Sequence, residues 1–339
     1  MRYRLLGNTG LRVSELSLGT MTFGEDWGFG ADKKVSQQQW DAFVDAGGNF
    51  IDTADGYTGG TSEKFVGEFA KKERDRFVIA TKYTFMKRQD DPNSGGNHRK
   101  NLRQSVEGSL KRLQTDHLDV LWLHAWDFIT PIDEVMRSLD DLVRQGKVLH
   151  VGVSDMPAWL VARANTLAEL KDWTPFAGLQ IEYSLVERTV ERDLTPMADH
   201  LGLTVCAWSP LGAGVLSGKF SSQNKGKVDT TRGDDKRFND RNLKIADELI
   251  AVAKEAGHSP AQVALNWLRA KGALPIVGAR KLDQLKDNIA CVDWELSPEQ
   301  VERLDQVSAI ELGFPHDFLL SDGPRHFFRG DTFDRIIRK

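Results

Sequence analysis

Short apolar runs rich in β-branched and aromatic residues recur along the whole chain, and longer amphipathic segments separate most of them. The runs are Leu16–Leu18, Asn49–Asp52, Phe77–Lys82, Leu118–His124, Val148–Ser154, Ala177–Ile181, Leu203–Trp208 and Leu274–Gly278. The helical segments include Gln37–Ala46, Arg99–Leu113, Ile132–Gln145 and Pro157–Leu170. Continuous apolar runs of strand length read as strands buried on both faces, and alternation with helices reads as repeated βα units with a parallel sheet. About eight such units is the number that closes a barrel. The expected fold is therefore α/β, a (β/α)8 TIM barrel occupying residues 1–339 as a single domain, a length this architecture commonly reaches. An open doubly wound sheet would need a Gly-x-Gly-x-x-Gly turn after an early strand, and neither Gly28-Phe-Gly30 nor Gly212-Ala-Gly214 completes it.

Two segments interrupt the alternation. Gly212–Phe238 is rich in Gly, Ser, Asp and Lys and reads as a long loop over one face. Phe314–Lys339, with Phe314, Phe318, Phe327 and Phe328, reads either as a tail packed on the barrel beside the substrate mouth or as a plain surface segment. Ser297-Pro-Glu-Gln300 has the spacing of a capping box.

Composition narrows the function classes. A net charge of −4 offers no basic patch for nucleic acid and no polybasic membrane anchor. No apolar stretch approaches the roughly 20 residues that span a bilayer, and the first residues lack the apolar run of a signal peptide. The two cysteines, Cys206 and Cys291, are far apart, and Cys206 lies in an apolar run, so reduced thiols and a cytoplasmic location are expected.

In a barrel the chemistry comes from the C-terminal ends of the strands. Here the second run ends in Asp52, the third in Lys82, the fourth in His124 and the fifth in Ser154-Asp155; the sixth ends near Gln180, the seventh in Trp208-Ser209 and the eighth in Gly278-Ala-Arg280. Each residue has an ordinary explanation alone: Asp52 as a turn residue, Lys82 as a solvated rim charge, His124 as a satisfied core histidine, Tyr57 as a loop aromatic, Trp208 as core. Their convergence on one rim outweighs those explanations. It also makes chemical sense. A tyrosine with a pKa near ~10 donates a proton poorly at neutral pH, and a lysine cation beside it lowers that value. Asp52 could hold the lysine, and a histidine could donate a hydrogen bond to a carbonyl oxygen. Together they supply an oxyanion site with a proton source.

These residues resemble the aldo-keto reductase superfamily over nearly the whole chain. Asn49-Phe-Ile-Asp-Thr-Ala-Asp-Gly-Tyr57 with Gly60-Thr-Ser-Glu63, Asp119-Val-Leu-Trp-Leu-His124, Pro275-Ile-Val-Gly-Ala-Arg280 with Gln284 and Asn288, and the opening Tyr3 to Ser14 are similar to its signatures in order and spacing. Gly152-Val-Ser-Asp-Met-Pro-Ala-Trp159 and the stretch Trp208 to Lys219 point to the aryl-alcohol dehydrogenase-like branch. The resemblance implies an N-terminal β-hairpin plugging the barrel floor and extended loops at the C-terminal face. It implies NADPH as cofactor, NADH less so, and reversible reduction of aldehydes or ketones, aromatic or bulky cyclic, to alcohols. The implied catalytic residues are Tyr57 as general acid, Lys82 tuning it, Asp52 orienting Lys82, and His124 positioning the carbonyl oxygen. Around the nicotinamide it implies Gly19, Thr20, Asp52, Ser154, Asp155, Gln180, Trp208 and Ser209. Leu211, Gly212, Leu216, Gly218 and Lys219 fall in a pyrophosphate loop, and Gly278, Arg280, Gln284 and Asn288 at the adenosine end. Trp27 and Trp126 fall in loops that shape the substrate pocket, beside Tyr57 and His124, or serve as packing. One position departs from the commoner pattern: Asp155 stands where many members have Asn. Its carboxylate is expected either to hold the carboxamide of the nicotinamide or to cap the following helix.

Three rival functions remain. A metal-dependent hydrolase needs clustered ligands, whereas the eight histidines are scattered, so no metal is expected. A phosphate-binding isomerase could use Gly212–Lys219 and Gly278–Arg280, but leaves Trp208 and the four catalytic candidates without a role. A redox-sensing, non-catalytic nicotinamide-binding subunit is the alternative that the four intact residues argue against. The partner expected is a small carbonyl or alcohol; the oligomeric state is left open.

Overall fold

The computed structural model describes residues 1–222, 237–330, 332 and 335–337. A hairpin opens it, β1 (Tyr3–Leu5) antiparallel to β2 (Arg12–Ser14). Then come β3 (Ser17–Gly19), β4 (Phe50–Asp52), β5 (Val78–Tyr83), β6 (Leu118–Leu123), β7 (Val148–Ser154), β8 (Phe176–Glu182), β9 (Thr204–Trp208) and β10 (Leu274–Val277). Each pairs in parallel with the next, and β10 closes on β3. The expected (β/α)8 barrel and its hairpin are both present.

Helices α1 (Lys33–Asp45), α2 (Thr61–Ala70), α3 (Arg99–Leu113), α4 (Ile132–Arg144), α5 (Ala158–Lys171), α6 (Leu194–Leu201), α7 (Asp240–Ala256), α8 (Pro260–Ala270), α9 (Leu282–Ile289) and α10 (Pro298–Val307) accompany the strands. The apolar pattern places the start of the first helix at Gln37; α1 begins one turn earlier because the Asp32 carboxylate accepts the Val35 N–H and caps it there. The capping box at Ser297 and Gln300 forms on α10. In the long loop, Gly212–Ser217 winds into tight turns, while residues 223–236 lie outside the described residues.

Of the two readings of the tail, the structure bears out the surface segment. It forms two short helices, α11 (His316–Leu320) and α12 (Asp322–Arg329), with no buried residue in either. Phe314 and Phe327 are each 85% exposed, so these rings do not pack on the barrel. The segment before them is fastened by the Arg192 guanidinium on the Glu311 carbonyl.

The core has two compartments. The larger lies between strands and helices; the smaller fills the barrel and includes Phe50, Val78, Val120, Trp122, Cys206 and Leu274, closed below by Leu6 and Val13 of the hairpin region. Trp122 is the largest side chain inside. Its ring fits because β7 and β8 carry Gly152 and Gly178 opposite it; a Cβ on Gly152 would fall 2.2 Å from the ring. This fills the barrel centre and leaves the polar residues of the strand ends above it. We therefore expect Gly152→Ala to cost about 1–3 kcal/mol by overpacking. Denaturant unfolding measures it, and an unchanged midpoint would mean that the Trp122 ring has room to move.

Candidate active site

The site is built on strand register. Asp52 ends β4 beside Gly19 of β3, and Lys82 lies opposite Trp122 of β6, so both side chains enter the upper barrel. Lys82 is fully buried. Its ammonium donates to Asp52 Oδ2 at 2.5 Å, to the Thr53 carbonyl at 2.9 Å and to Tyr57 Oη at 3.1 Å. Those acceptors use all three ammonium protons. Asp52 is anchored twice, because its Oδ1 accepts the Gln180 Nε2–H from β8 at 2.8 Å.

Tyr57 stands on a tight turn whose next residue, Thr58, has φ +46. The Thr58 hydroxyl donates to the Phe23 carbonyl and accepts the Ser62 N–H. Below it, Ser62, Thr20 and Thr53 share hydroxyl hydrogen bonds. Asp55, buried two residues before Tyr57, is paired with Lys87 at 2.8 Å, which ties the tyrosine turn to the segment after β5. Glu63 on α2 is clamped between the Thr81 hydroxyl of β5 and the Arg112 guanidinium of α3.

Burial sets the charge states. It raises the Tyr57 pKa above its usual value, outweighing the pull of the Lys82 cation. The expected lowering is therefore reversed, and Tyr57 stays a neutral phenol. Burial would also drive Lys82 toward neutrality, but Asp52 and Tyr57 hold it above its usual value as an ammonium. Since Tyr57 Oη accepts from Lys82, its own proton is available to a partner on the other side. His124, at the end of β6, is pushed down to about 2 by burial and then by Lys82, and so is a neutral imidazole. Its Nδ1 is buried without a hydrogen-bond partner.

An aromatic rim covers this polar base. Phe85 lies 4.0 Å, centroid to centroid, from His124, and Trp27 meets Tyr57 edge-on at 6.3 Å. Trp27, Phe29, Phe85 and Met86 are all substantially exposed. Phe85, Phe29 and Met86 were not singled out in the sequence; Phe85 could have been, as the first large apolar residue beyond the strand that ends near Lys82. Trp126 is half-buried and packs on the outer core.

The remaining candidates fit a nicotinamide dinucleotide unevenly. Ser154 Oγ is buried at the end of β7 without a partner, as a hydroxyl awaiting a polar ligand group would be. Gln180 has one amide N–H engaged with Asp52, which leaves its carbonyl oxygen and its second N–H for a ligand. Thr20 is buried, and its hydroxyl bonds the Asp52 carbonyl and Ser62. Gly19 and Gly278 approach so closely that a Cβ on Gly278 would sit 2.9 Å from the Gly19 carbonyl oxygen, keeping that floor free of side chains. Trp208, half-buried, packs on the interior cluster and donates its indole N–H to Asp155 Oδ1 at 3.1 Å. Asp155 does not cap α5, whose N-cap residue is Pro157 with no side-chain bond. Ser209 turns the chain at φ +52 and accepts the Ala213 N–H, opening the turns that hold Leu211, buried Gly212 and Leu216, Gly218 and exposed Lys219. Arg280 is exposed before α9, whose N-terminus no side chain caps; Gln284 is exposed and Asn288 buried one turn further on. Among the described residues, no group of three or more His, Cys, Asp or Glu could hold a metal ion, and no helix is long and apolar enough to cross a membrane.

Residues 15–309 match the model of the Aldo/keto reductase family. A norsolorinic acid reductase of Aspergillus flavus is 38% identical, with 99% of this chain and 88% of the relative covered. An aryl-alcohol dehydrogenase of Pestalotiopsis microspora is 39% identical over 94% of this chain and 85% of its own length. An aryl-alcohol dehydrogenase [NADP(+)] of Phanerodontia chrysosporium is 38% identical over 95% and 89%.

The neutral state of His124 is directly measurable. Its folded pKa of about 2 lies far below the unfolded value near ~6.5. The unfolded chain therefore binds this proton first, and the stability tied to the neutral ring is lost as pH falls below about 6.5. We expect the 15N shifts of the His124 ring to stay those of neutral imidazole from about pH 8 to about pH 5. Protonation near the ordinary value would contradict the burial argument.

Proposed function

Because the chain belongs to the aldo/keto reductase family and is an oxidoreductase, we propose that it uses NADPH to reduce aldehydes or ketones to alcohols, reversibly, with Tyr57 as general acid. The observation that carries this reading is the buried Lys82 ammonium, paired with Asp52 and donating to Tyr57 Oη.

A bound nicotinamide would supply hydride chemistry at the carbonyl carbon. The chain's own groups handle the oxygen. His124, a neutral donor, and the Tyr57 hydroxyl converge on the carbonyl oxygen and stabilise negative charge as it develops. Tyr57 gives up its proton there, and the Lys82 N–H stabilises the phenolate left behind; in the oxidative direction the phenolate takes the alcohol proton. Asp52 keeps Lys82 charged and aimed. The Ser154 hydroxyl and the Gln180 carbonyl oxygen would hold the cofactor's carboxamide, one as donor and one as acceptor. The turns from Ser209 to Lys219 would carry the pyrophosphate, and the open N-terminus of α9 with Arg280, Gln284 and Asn288 the adenosine phosphate.

The exposed rings of Trp27, Phe29 and Phe85 support a preference for aromatic or bulky cyclic carbonyls. The relatives' names, an aryl-alcohol dehydrogenase and norsolorinic acid reductase, support the same class. We read residues 1–339 as one domain with a small carbonyl or alcohol as its partner, working in the cytoplasm without nucleic acid or membrane. The buried, unpaired Cys206 and Cys291 support a reducing compartment.

Two experiments test this. Tyr57→Phe should lower turnover of an aromatic aldehyde about 10²–10⁴-fold while leaving NADPH binding near normal, because the hydroxyl enters only the proton step. Retention of most activity sinks the assignment. Arg280→Ala should weaken NADPH about tenfold to hundredfold and NADH little, the loss of one charge-assisted phosphate contact. Equal losses for both cofactors, measured by titration, would leave Arg280 without a phosphate to bind.

A further inference from the structure

Asp155 is used by neither the proton chemistry nor a helix cap, yet the chain accepts an unfavourable backbone to place it. Its φ is +43, a left-handed conformation that costs a side-chain-bearing residue energy and that Asp tolerates better than most. Two backbone hydrogen bonds hold it there. The Asp155 N–H donates to the Gln180 carbonyl on β8, and the Asp155 carbonyl accepts the Trp126 N–H from the segment after β6. The side chain then reaches β9, where Oδ1 accepts the Trp208 indole N–H. One residue at the end of β7 thus joins the ends of its neighbours on both sides and of the strand beyond. Indole nitrogen can only donate, and a carboxylate can only accept, so the pair has a single sense. Enclosure by these strand ends raises the Asp155 pKa, against the pull of the Trp208 N–H and of Lys82.

We propose that Asp155 is a positioning residue for Trp208: its carboxylate holds the indole by the Nε1–H and so fixes the orientation of a ring that the family resemblance puts beside the nicotinamide. This rests on the reading of the site as a nicotinamide site. Asp155 thereby reaches the cofactor through the indole, rather than by ligating the carboxamide, which Ser154 and Gln180 serve.

The test has a cofactor-free arm and a cofactor arm. The protein is labelled with 5-fluorotryptophan and its 19F spectrum recorded without cofactor, with Trp208→Phe assigning the Trp208 resonance. Asp155→Gly suits the left-handed backbone but removes the acceptor; Asp155→Asn keeps an acceptor oxygen and loses the charge. We expect Asp155→Gly to shift or broaden the Trp208 resonance and Asp155→Asn to leave it near its original place. A Trp208 resonance unmoved in Asp155→Gly overturns the tether.

In the cofactor arm, Asp155→Gly and Trp208→Phe should each raise the Kd for NADPH about three- to tenfold, the loss of one hydrogen bond's ordering. The double variant should be no weaker than the weaker single one, because both remove the same interaction. Fully additive losses overturn the proposal, since the two residues would then act separately. A 19F response as expected with unchanged NADPH affinity in both single variants overturns the positioning of the cofactor through Trp208, whereas no measurable NADPH binding by the unsubstituted protein overturns the nicotinamide reading and leaves the tether standing.

Discussion

An ammonium group taken out of water must find an acceptor for each of its three protons, or the desolvation cost is not recovered. Lys82 meets that demand with Asp52 Oδ2, the Thr53 carbonyl and Tyr57 Oη. The rest of the site follows from this. Asp52 must stand at the end of the neighbouring strand, with its second oxygen fixed by Gln180 across the barrel. The chain must turn back after Thr53 to bring Tyr57 over the ammonium, which the Thr58, Ser62 and Thr20 hydroxyls arrange. Because the Lys82 N–H occupies a lone pair of Tyr57 Oη, the phenol proton has only the open side to face.

The charge distribution suits chemistry at an oxygen that becomes negative. In the proposed reading two donors, Tyr57 and His124, serve the carbonyl oxygen, and burial keeps both neutral. A charged imidazolium beside Lys82 would add a second cation in a space already desolvated, and the two would repel. The single permanent cation stays behind the phenol. It favours the phenolate once the proton has left, without competing for the oxygen directly. Sequence reasoning assigned that tuning to a lowered resting pKa of Tyr57. Burial opposes it in the resting site, so under the proposed mechanism Lys82 acts on the charge that develops on Tyr57 during proton transfer.

The strand ends were legible in the sequence because a barrel collects them on one rim. Asp52, Lys82, His124, Ser154, Gln180 and Trp208 could be named from where apolar runs stop. The Lys82 cluster required only Asp52 and Lys82 on adjacent strands and Tyr57 a few residues beyond the first of them. What was not legible depends on contacts between residues far apart in the chain. That Gln180 spends its N–H on Asp52, from 128 residues away, has no local signature. Thr20 reads as a rim residue until Ser62 is seen beside it. Asp155 was expected either to hold the nicotinamide carboxamide or to cap the following helix; the left-handed backbone turns its carboxylate toward Trp208, away from the helix N-terminus. The tail aromatics left packing and surface exposure open because large rings usually are buried, and nothing among the described residues covers Phe314 or Phe327.

The rim and the base of the site obey different constraints. Below, every polar group of the Lys82 cluster is tied to another strand, so a substitution there disturbs partners across the barrel. Above, Trp27, Phe29 and Met86 are exposed and belong to segments outside the strands. They can change size or shape without breaking a hydrogen bond of the base. Phe85 belongs to both, since it lies against His124 and also faces solvent. It shields one face of the imidazole from water, which helps keep the ring neutral, and presents its other face to whatever approaches. Under the proposed function the proton chemistry can stay constant while the outer rings change which carbonyl compounds fit, with Phe85 touching both layers.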